Sequence, residues 1–261
     1  MMSTESNSKG VAVVTGSGQG IGHTIAVRLA GDGYDVVIND LESNKENLDA
    51  VKKEITANFP ERRVLIVFAN VTIEEEVKGL VESAVKEFGK LNIFVANAGI
   101  AVIKPLLETT SDDWDSVFAV NVKGTFYSYK YAAQQMIAQG DGGRIIGASS
   151  LAGKKGHASV SAYCASKFAV RGLTQSAAVE LGRNGITVNA YAPGAIQTSM
   201  LSELAAVDDS VDLYEEFKRL SSVGHLGTTQ DVASLVSFLV TPEARFITGQ
   251  TITIDGGIFF D

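Results

Sequence analysis

The chain has a single cysteine, Cys164, in 261 residues. An intrachain disulfide is therefore impossible, and a cluster of thiolate metal ligands is excluded. The three histidines, His23, His157 and His225, stand apart without ligand spacing, so no metal is expected. Proline is as scarce, with 4 residues against 26 glycines, which argues against collagen-like repeats or disorder and for a compact fold with close backbone approaches. Long apolar runs are missing too: no stretch approaches a membrane span, and the polar residues 1–9 lack the apolar core of a secretory signal. Positive charge is in the minority, 22 basic against 30 acidic residues for a net charge of -8, and no basic run stands out. Neither nucleic acid nor membrane is an expected partner, and a cytoplasmic location is.

What the chain does have is a regular alternation of short β-branched runs and helical periodicity. Strands are predicted at Val11–Thr15, Val36–Asn39, Val64–Phe68, Ile93–Ala96, Arg144–Ala148, Thr187–Tyr191 and Thr251–Ile254. Helices are predicted at Ile21–Ala30, Asn44–Asn58, Glu74–Phe88, Asp112–Ala138, Ala162–Leu181 and Gln230–Val240. Strands alternating with helices imply parallel pairing through right-handed crossovers. The expected fold is α/β: a single-domain, Rossmann-like, doubly wound parallel sheet with helices on both faces. Residues 1–9 are expected to be flexible and 10–261 to form the domain. Between about 195 and 223 the rhythm breaks just after a strand end, where a long connection covers a ligand as a lid or is a helical ornament.

The first strand runs into Thr15-Gly16-Ser17-Gly18-Gln19-Gly20-Ile21-Gly22 and then a helix. Glycines there let the backbone approach a pyrophosphate, and the helix N-terminus attracts its charge. Tight turns also carry glycine for conformational reasons alone. Asp40, about 20 residues on at the end of the second strand, completes the dinucleotide pattern. Its carboxylate suits ribose hydroxyls and repels a 2′-phosphate, and Gln19 and Leu41 carry no charge that would attract one. NAD(H) is therefore expected over NADP(H).

Tyr163 and Lys167 lie four residues apart, downstream of the hydroxyl pair Ser149-Ser150. On a helix they share a face, so the ammonium is expected to lower the phenol's pKa and make it a proton donor or acceptor for carbonyl and alcohol interconversion. A surface tyrosine packed on a lysine stem has the same spacing. Ser150 is preferred over Ser149, because neighbours on an extended segment face opposite ways.

Taken together, Thr15-Gly16-x-x-x-Gly20-x-Gly22, Asn97-Ala98-Gly99, Asn121, Ser150, Tyr163-x-x-x-Lys167 and Pro193-Gly194 resemble the short-chain dehydrogenase/reductase family over essentially the whole chain. Ser166–Gln175 and Gly185–Gly194 look most like acetoin and diacetyl reductases, also called butanediol dehydrogenases. The resemblance implies a catalytic set of Asn121, Ser150, Tyr163 and Lys167. It implies a nicotinamide dinucleotide against Gly16, Gln19, Gly20, Ile21, Gly22, Asp40, Asn70, Val71, Asn97, Ala98, Gly99, Tyr163, Lys167, Pro193, Gly194, Ile196 and Thr198. Lys167 would also bind the nicotinamide ribose, Asn121 would hold a water joining Lys167 to solvent, and Thr198 would hold the carboxamide. Asn70 stands where the family usually has Asp, and its carbonyl oxygen is expected to accept from the adenine amino group. Gly147-Ala148 precedes the serines where the family often has Asn.

Candidates for the substrate pocket are Ser150, Leu151, His157, Tyr163, Tyr191 and Met200, with His157 equally readable as a loop residue. The substrate would be a small ketone or secondary alcohol of the diacetyl, acetoin or 2,3-butanediol type. A 3-oxoacyl thioester reductase, a sugar or polyol dehydrogenase, and a non-catalytic dinucleotide-binding protein are the alternatives. The resemblance also implies a homotetramer, with the long helices paired across a two-fold axis, although packing against the sheet explains the same residues.

Overall fold

A computed structural model describes residues 8–206 and 212–260. Seven strands form one sheet: β1 (Val11–Thr15), β2 (Asp35–Asp40), β3 (Val64–Phe68), β4 (Ile93–Ala96), β5 (Gly143–Ala148), β6 (Ile186–Pro193) and β7 (Thr251–Ile254). Their order is β3-β2-β1-β4-β5-β6-β7, every neighbouring pair parallel. The order reverses between β1 and β4, which opens a crevice beyond the carboxyl ends of those strands.

Alternation along each strand builds a core on each face. Ala12 and Val14, Val36 and Ile38, and Ile93 and Val95 meet Ile25 and Leu29 of α1 (Gly20–Gly31), Leu48 and Ile55 of α2 (Lys45–Asn58) and Val232 and Val236 of α9 (Thr229–Leu239). Val11 and Val13, Val37, and Phe94 and Ala96 meet Leu80 and Ala84 of α3 (Glu74–Phe88), Ala132 and Met136 of α5 (Thr125–Gln139) and Ala178 of α6 (Ser161–Leu181). Each buried Val, Leu, Ile, Phe or Met among them contributes roughly 1.5–3 kcal/mol by leaving water.

One expectation changes. The helix predicted over Asp112–Ala138 is two helices, α4 (Ser111–Phe118) and α5, joined by a π-helical segment at Ala119–Gly124. Asn121 lies in that segment, fully buried, and Thr125 Oγ1 donates to its carbonyl oxygen at 2.7 Å. A single extra residue in the helical turn is invisible to a 3.6-residue pattern, and such bulges concentrate at functional sites. At the N-terminus, residues 1–7 lie outside the described residues, but Ser8 and Lys9 are held: Lys9 N donates to Gly33 O at 2.9 Å and Ser8 Oγ to Gly10 O at 2.8 Å.

The connection after β6 folds into α7 (Ser199–Ala205) and α8 (Leu213–Leu220), and residues 207–211 of the expected lid lie outside the described residues. Among the described residues no helix is long and apolar enough to cross a membrane, and no group of three or more His, Cys, Asp or Glu is placed to hold a metal.

Candidate active site

The glycine loop is shaped by steric necessity. Gly16 and Gly20 have φ of +62° and +58°, a region that side chains disfavour. A Cβ on Gly16 would stand 2.9 Å from Ala98 Cα, and one on Gly22 would collide with Gly16 O and Asn97 Nδ2. β1, β4 and α1 therefore converge closely. Helix α1 begins here without a side-chain cap and with no acidic residue in its first turn, leaving its leading N–H groups to an anion. Gln19 is exposed and Ile21 half-buried at this edge. Asp40 closes the other side: Oδ2 accepts from Gly18 N at 3.1 Å, while Oδ1 accepts from Leu41 N at 2.9 Å and Asn44 Nδ2 at 3.0 Å.

Hydrogen bonds from Thr15, Ser17, Asn97 and Asn39, the last given no role in the sequence reading, hold this loop. Ser17 and Asn39 bond reciprocally: Ser17 N donates to Asn39 O at 2.9 Å and Asn39 N to Ser17 Oγ at 3.0 Å. Thr15 Oγ1 accepts from Asn97 N at 3.0 Å and Ala98 N at 3.1 Å, and Asn97 Nδ2 donates back to Thr15 O at 2.8 Å. Strand-end hydroxyls and amides carry no periodic signal, so only their placement reveals them. Tyr191 belongs to the same brace, donating from its hydroxyl to Asn97 Oδ1 at 2.8 Å. Only 1% exposed and packed in the core, Tyr191 supports the cofactor loop and does not line a substrate pocket, contrary to expectation.

Across the crevice, β5 ends at Ala148 and delivers the two serines with opposite orientations. Ser149, buried, donates from Oγ to Lys167 O at 3.1 Å, while Ser150 Oγ accepts from Ala152 N at 3.1 Å on the side where its hydroxyl lowers the Tyr163 pKa. Tyr163 and Lys167 share the inner face of α6. The Lys167 ammonium lies 5.3 Å from the Tyr163 ring centroid and donates to Ala148 O at 2.9 Å. With three N–H donors on the ammonium, that one bond leaves two for a ligand among the described residues. Burial lowers the Lys167 pKa to about 8. The phenol is not depressed as expected: burial holds Tyr163 above its ordinary value, opposed by the Ser150 hydrogen bond and reinforced by Cys164.

Asn121 meets this group from the π-helical segment. Its Oδ1 accepts from Ile100 N at 2.9 Å, and its Nδ2 donates to Ile100 O at 2.9 Å and Ser166 Oγ at 3.0 Å. A Cβ on Gly99 would stand 3.2 Å from Lys167 Nζ and 3.3 Å from Asn121 Oδ1, so Gly99 lies against both. Val71 packs on the same segment, 2.8 Å from where a Gly124 Cβ would be. The Asn70 carbonyl oxygen is already engaged, accepting from Thr72 N at 3.0 Å and Thr72 Oγ1 at 2.9 Å. These two bonds engage the carbonyl oxygen that the sequence reading gave to the adenine amino group.

Pro193 ends β6 and Gly194 turns the chain under Asp255, whose Cβ would lie 2.6 Å from a Cβ at residue 194. Ile196 is buried, and Thr198 caps α7 by accepting from Leu201 N at 3.4 Å. Thr198 Cγ2 lies 3.9 Å from where a Gly20 Cβ would be, so this turn faces the glycine loop. Beside it a cavity of about 560 Å³ is lined by Gln197, Thr198, Ser202, Tyr214, Lys218 and Leu226. Leu151 is buried beside Ser150, Met200 is half-exposed on α7, and His157 is an exposed loop residue whose backbone N donates to Cys164 Sγ at 3.4 Å. Burial and then Lys155 lower the His157 pKa.

A glycine loop on an open helix N-terminus, facing a buried ammonium and a phenol–serine pair, defines a dinucleotide-dependent oxidoreductase site. Residues 16–259 match the family model described as enoyl-(acyl carrier protein) reductase. A short-chain dehydrogenase/reductase of Armillaria gallica is 48% identical over 263 residues, covering 100% of both chains. The L-2,3-butanediol dehydrogenase of Corynebacterium glutamicum is 39% identical over 96% of this chain and 99% of its own. A 3-oxoacyl-[acyl-carrier-protein] reductase of Staphylococcus aureus is 40% identical over 95% and 97%. Among solved structures, levodione reductase superposes with a TM-score of 0.91 at 33% identity, covering 96% of this chain and 97% of that one. A blue fluorescent protein from a metagenomic library, in complex with NADPH, gives 0.87 at 35% over 97% and 99%. The chain belongs to the short-chain dehydrogenase/reductase family of oxidoreductases.

Proposed function

We propose that the protein interconverts a small ketone and a secondary alcohol of the diacetyl, acetoin and 2,3-butanediol type, using NAD(H). The observation that carries this reading is the Lys167 ammonium, held by Ala148 O at 2.9 Å and 5.3 Å from the Tyr163 ring centroid, at the end of the strand that delivers Ser150. The residues fit a dinucleotide: uncapped α1 N–H groups suit a pyrophosphate, Asp40 a ribose diol, and the remaining Lys167 donors a second ribose. When bound, that cofactor supplies or accepts the hydride.

Ser150 donates to the substrate oxygen and fixes it beside Tyr163. Tyr163, kept neutral by burial, gives its proton as negative charge builds on that oxygen, and takes one back in alcohol oxidation. Lys167 stabilises the phenolate left behind and holds the cofactor's ribose. Asn121 fixes the Ile100 turn and, through Ser166, the first turn of α6. Thr198 and the Ile196 backbone face the carboxamide. Leu151 and Met200 supply apolar walls for a short ketone.

Asp40 supports NAD(H), since a 2′-phosphate beside its carboxylate would meet like charge. The relatedness to butanediol dehydrogenase supports the substrate class. A 3-oxoacyl thioester is the second reading, favoured by the equally similar acyl-carrier-protein reductase. A homotetramer is proposed from the exposed apolar side chains Phe126 and Ile137 on α5 and Phe168 and Val179 on α6.

The test is turnover on vicinal diketones, hydroxyketones, diols, sugars and 3-oxoacyl thioesters, each with NADH or NADPH (or the oxidised forms). Diacetyl or acetoin with NADH is expected to be fastest. Faster reduction of the thioester would replace this substrate reading, and a preference for NADPH would overturn the role given to Asp40.

A further inference from the structure

Two loops, one leading away from Gly99 and one leading into α6, meet at a junction outside the proposed catalytic set. The first leaves Gly99, beside Lys167 Nζ, and runs through Ile100, Ala101, Val102 and Ile103, four apolar residues all partly accessible. The second, Ser159-Val160, leads into α6 three residues before Tyr163, with Val160 O accepting from Cys164 N at 2.8 Å. They join as a parallel bridge between Lys104 and Val160, in which Lys104 N donates to Ser159 O at 2.8 Å. Ser159 is at φ +61°, the one non-glycine residue with positive φ among those described. A side chain held there carries strain that its surroundings must offset.

The junction is pinned on its outer side. Lys104 Nζ reaches both oxygens of Asp113 at 2.9 and 2.7 Å, and Asp113 forms the capping box of α4 with Thr110. The Lys104 hydrogen bond, with those from Thr110, holds the Asp113 carboxyl down to about 2, so this carboxylate keeps its charge throughout the neutral range. At its inner end the same loop is fixed by Asn121 on Ile100. The apolar run is therefore clamped at both ends, between Gly99 beside Lys167 Nζ and the segment that opens α6 three residues before Tyr163.

We infer that Lys104 is a specificity-determining residue: paired with Asp113 and bridged to Ser159, it locks the 100–104 loop as a rim that limits the size of the ketone reaching Tyr163. This rests on the proposed ketone chemistry. Lys104 acts on substrate choice through the loop and touches no reacting atom.

The experiment compares the parent with Lys104→Met, Asp113→Asn, their double variant, and Ser159→Val, which places a β-branched residue at positive φ. Two readouts are taken: the ratio of kcat/KM for a bulky cyclic diketone to that for diacetyl, and hydrogen exchange of the Lys104 amide by mass spectrometry. The single ion-pair variants are expected to raise both about fivefold, the scale of a partly exposed pair. The double variant should go no further, because both changes break one contact. Ser159→Val is expected to raise both about tenfold through the strain it adds. An unchanged Lys104 exchange rate, or equal losses on both ketones, would overturn the inference. Should the parent reduce no ketone at all, the functional proposal fails, while amide exchange still decides whether the clamp exists.

Discussion

Lys167 is where the molecule spends stability on chemistry. Its ammonium is 3% exposed and makes one hydrogen bond, and burial lowers its pKa from 10.5 to about 8. Between those values the unfolded chain holds a proton that the folded chain has released, so stability rises with pH. From pH 8 to about 10 the gain from this group is of order 3 kcal/mol. Above pH 10 the sign reverses, because burial raises Tyr129, Tyr163 and Tyr191 and the unfolded tyrosines ionise first. Urea midpoints measured without cofactor should therefore climb between pH 8 and 10, and the climb should vanish in Lys167→Met. A parent midpoint that falls across that interval would contradict the burial of a charged lysine. At Asp40 the prediction is electrostatic: Asp40→Ala should narrow the preference for NADH over NADPH by at least tenfold, read from kcat/KM with each. An unchanged preference would mean the carboxylate serves only Gly18, Leu41 and Asn44.

Among the elements, the π-helical segment shows where sequence reading stops. Continuous apolar runs such as Val11–Thr15 and Ile93–Ala96 announced their strands with the observed bounds, because burial on two faces leaves little choice of residue. Gly16, Asp40 and Tyr163 with Lys167 were legible because their spacings repeat a chemical need, and Asn97 through the family resemblance; the structure gathers them at the carboxyl edge of one sheet. The break after Phe118 left no such trace. It depends on Asn121 meeting Ile100 and Ser166, partners distant in sequence, and on Thr125 satisfying the Asn121 carbonyl. Tyr191 was misread for the same reason: only tertiary placement turns its hydroxyl to Asn97. Removing the buried Asn121 side chain takes away three hydrogen bonds, two to the Ile100 backbone and one to the buried Ser166 Oγ. Asn121→Ala should cost about 3 kcal/mol in denaturant unfolding, with kcat falling more than the affinity for NADH changes. A loss below 1 kcal/mol would show that water replaces those bonds without penalty.

For the whole molecule, the remaining apolar surface calls for a partner. Val179 is 84% exposed on α6, and Phe168 and Phe126 are each 44% exposed. Sedimentation velocity should report a tetramer, and the pair Phe168→Glu with Val179→Glu should shift it to smaller species; a monomeric parent would leave those residues without a role. The same helix α6 carries Tyr163 and Lys167, so association would stiffen the element that bears the proton donor. The most direct measurement on the central claim is single-turnover reduction of diacetyl by NADH in Tyr163→Phe, alongside NADH binding by fluorescence. Loss of one hydroxyl should slow the chemical step by 10²–10⁴-fold, the usual range for a positioned acid, while the NADH dissociation constant stays within about threefold. Turnover within tenfold of the parent, with NADH bound normally, would contradict Tyr163 as the proton donor.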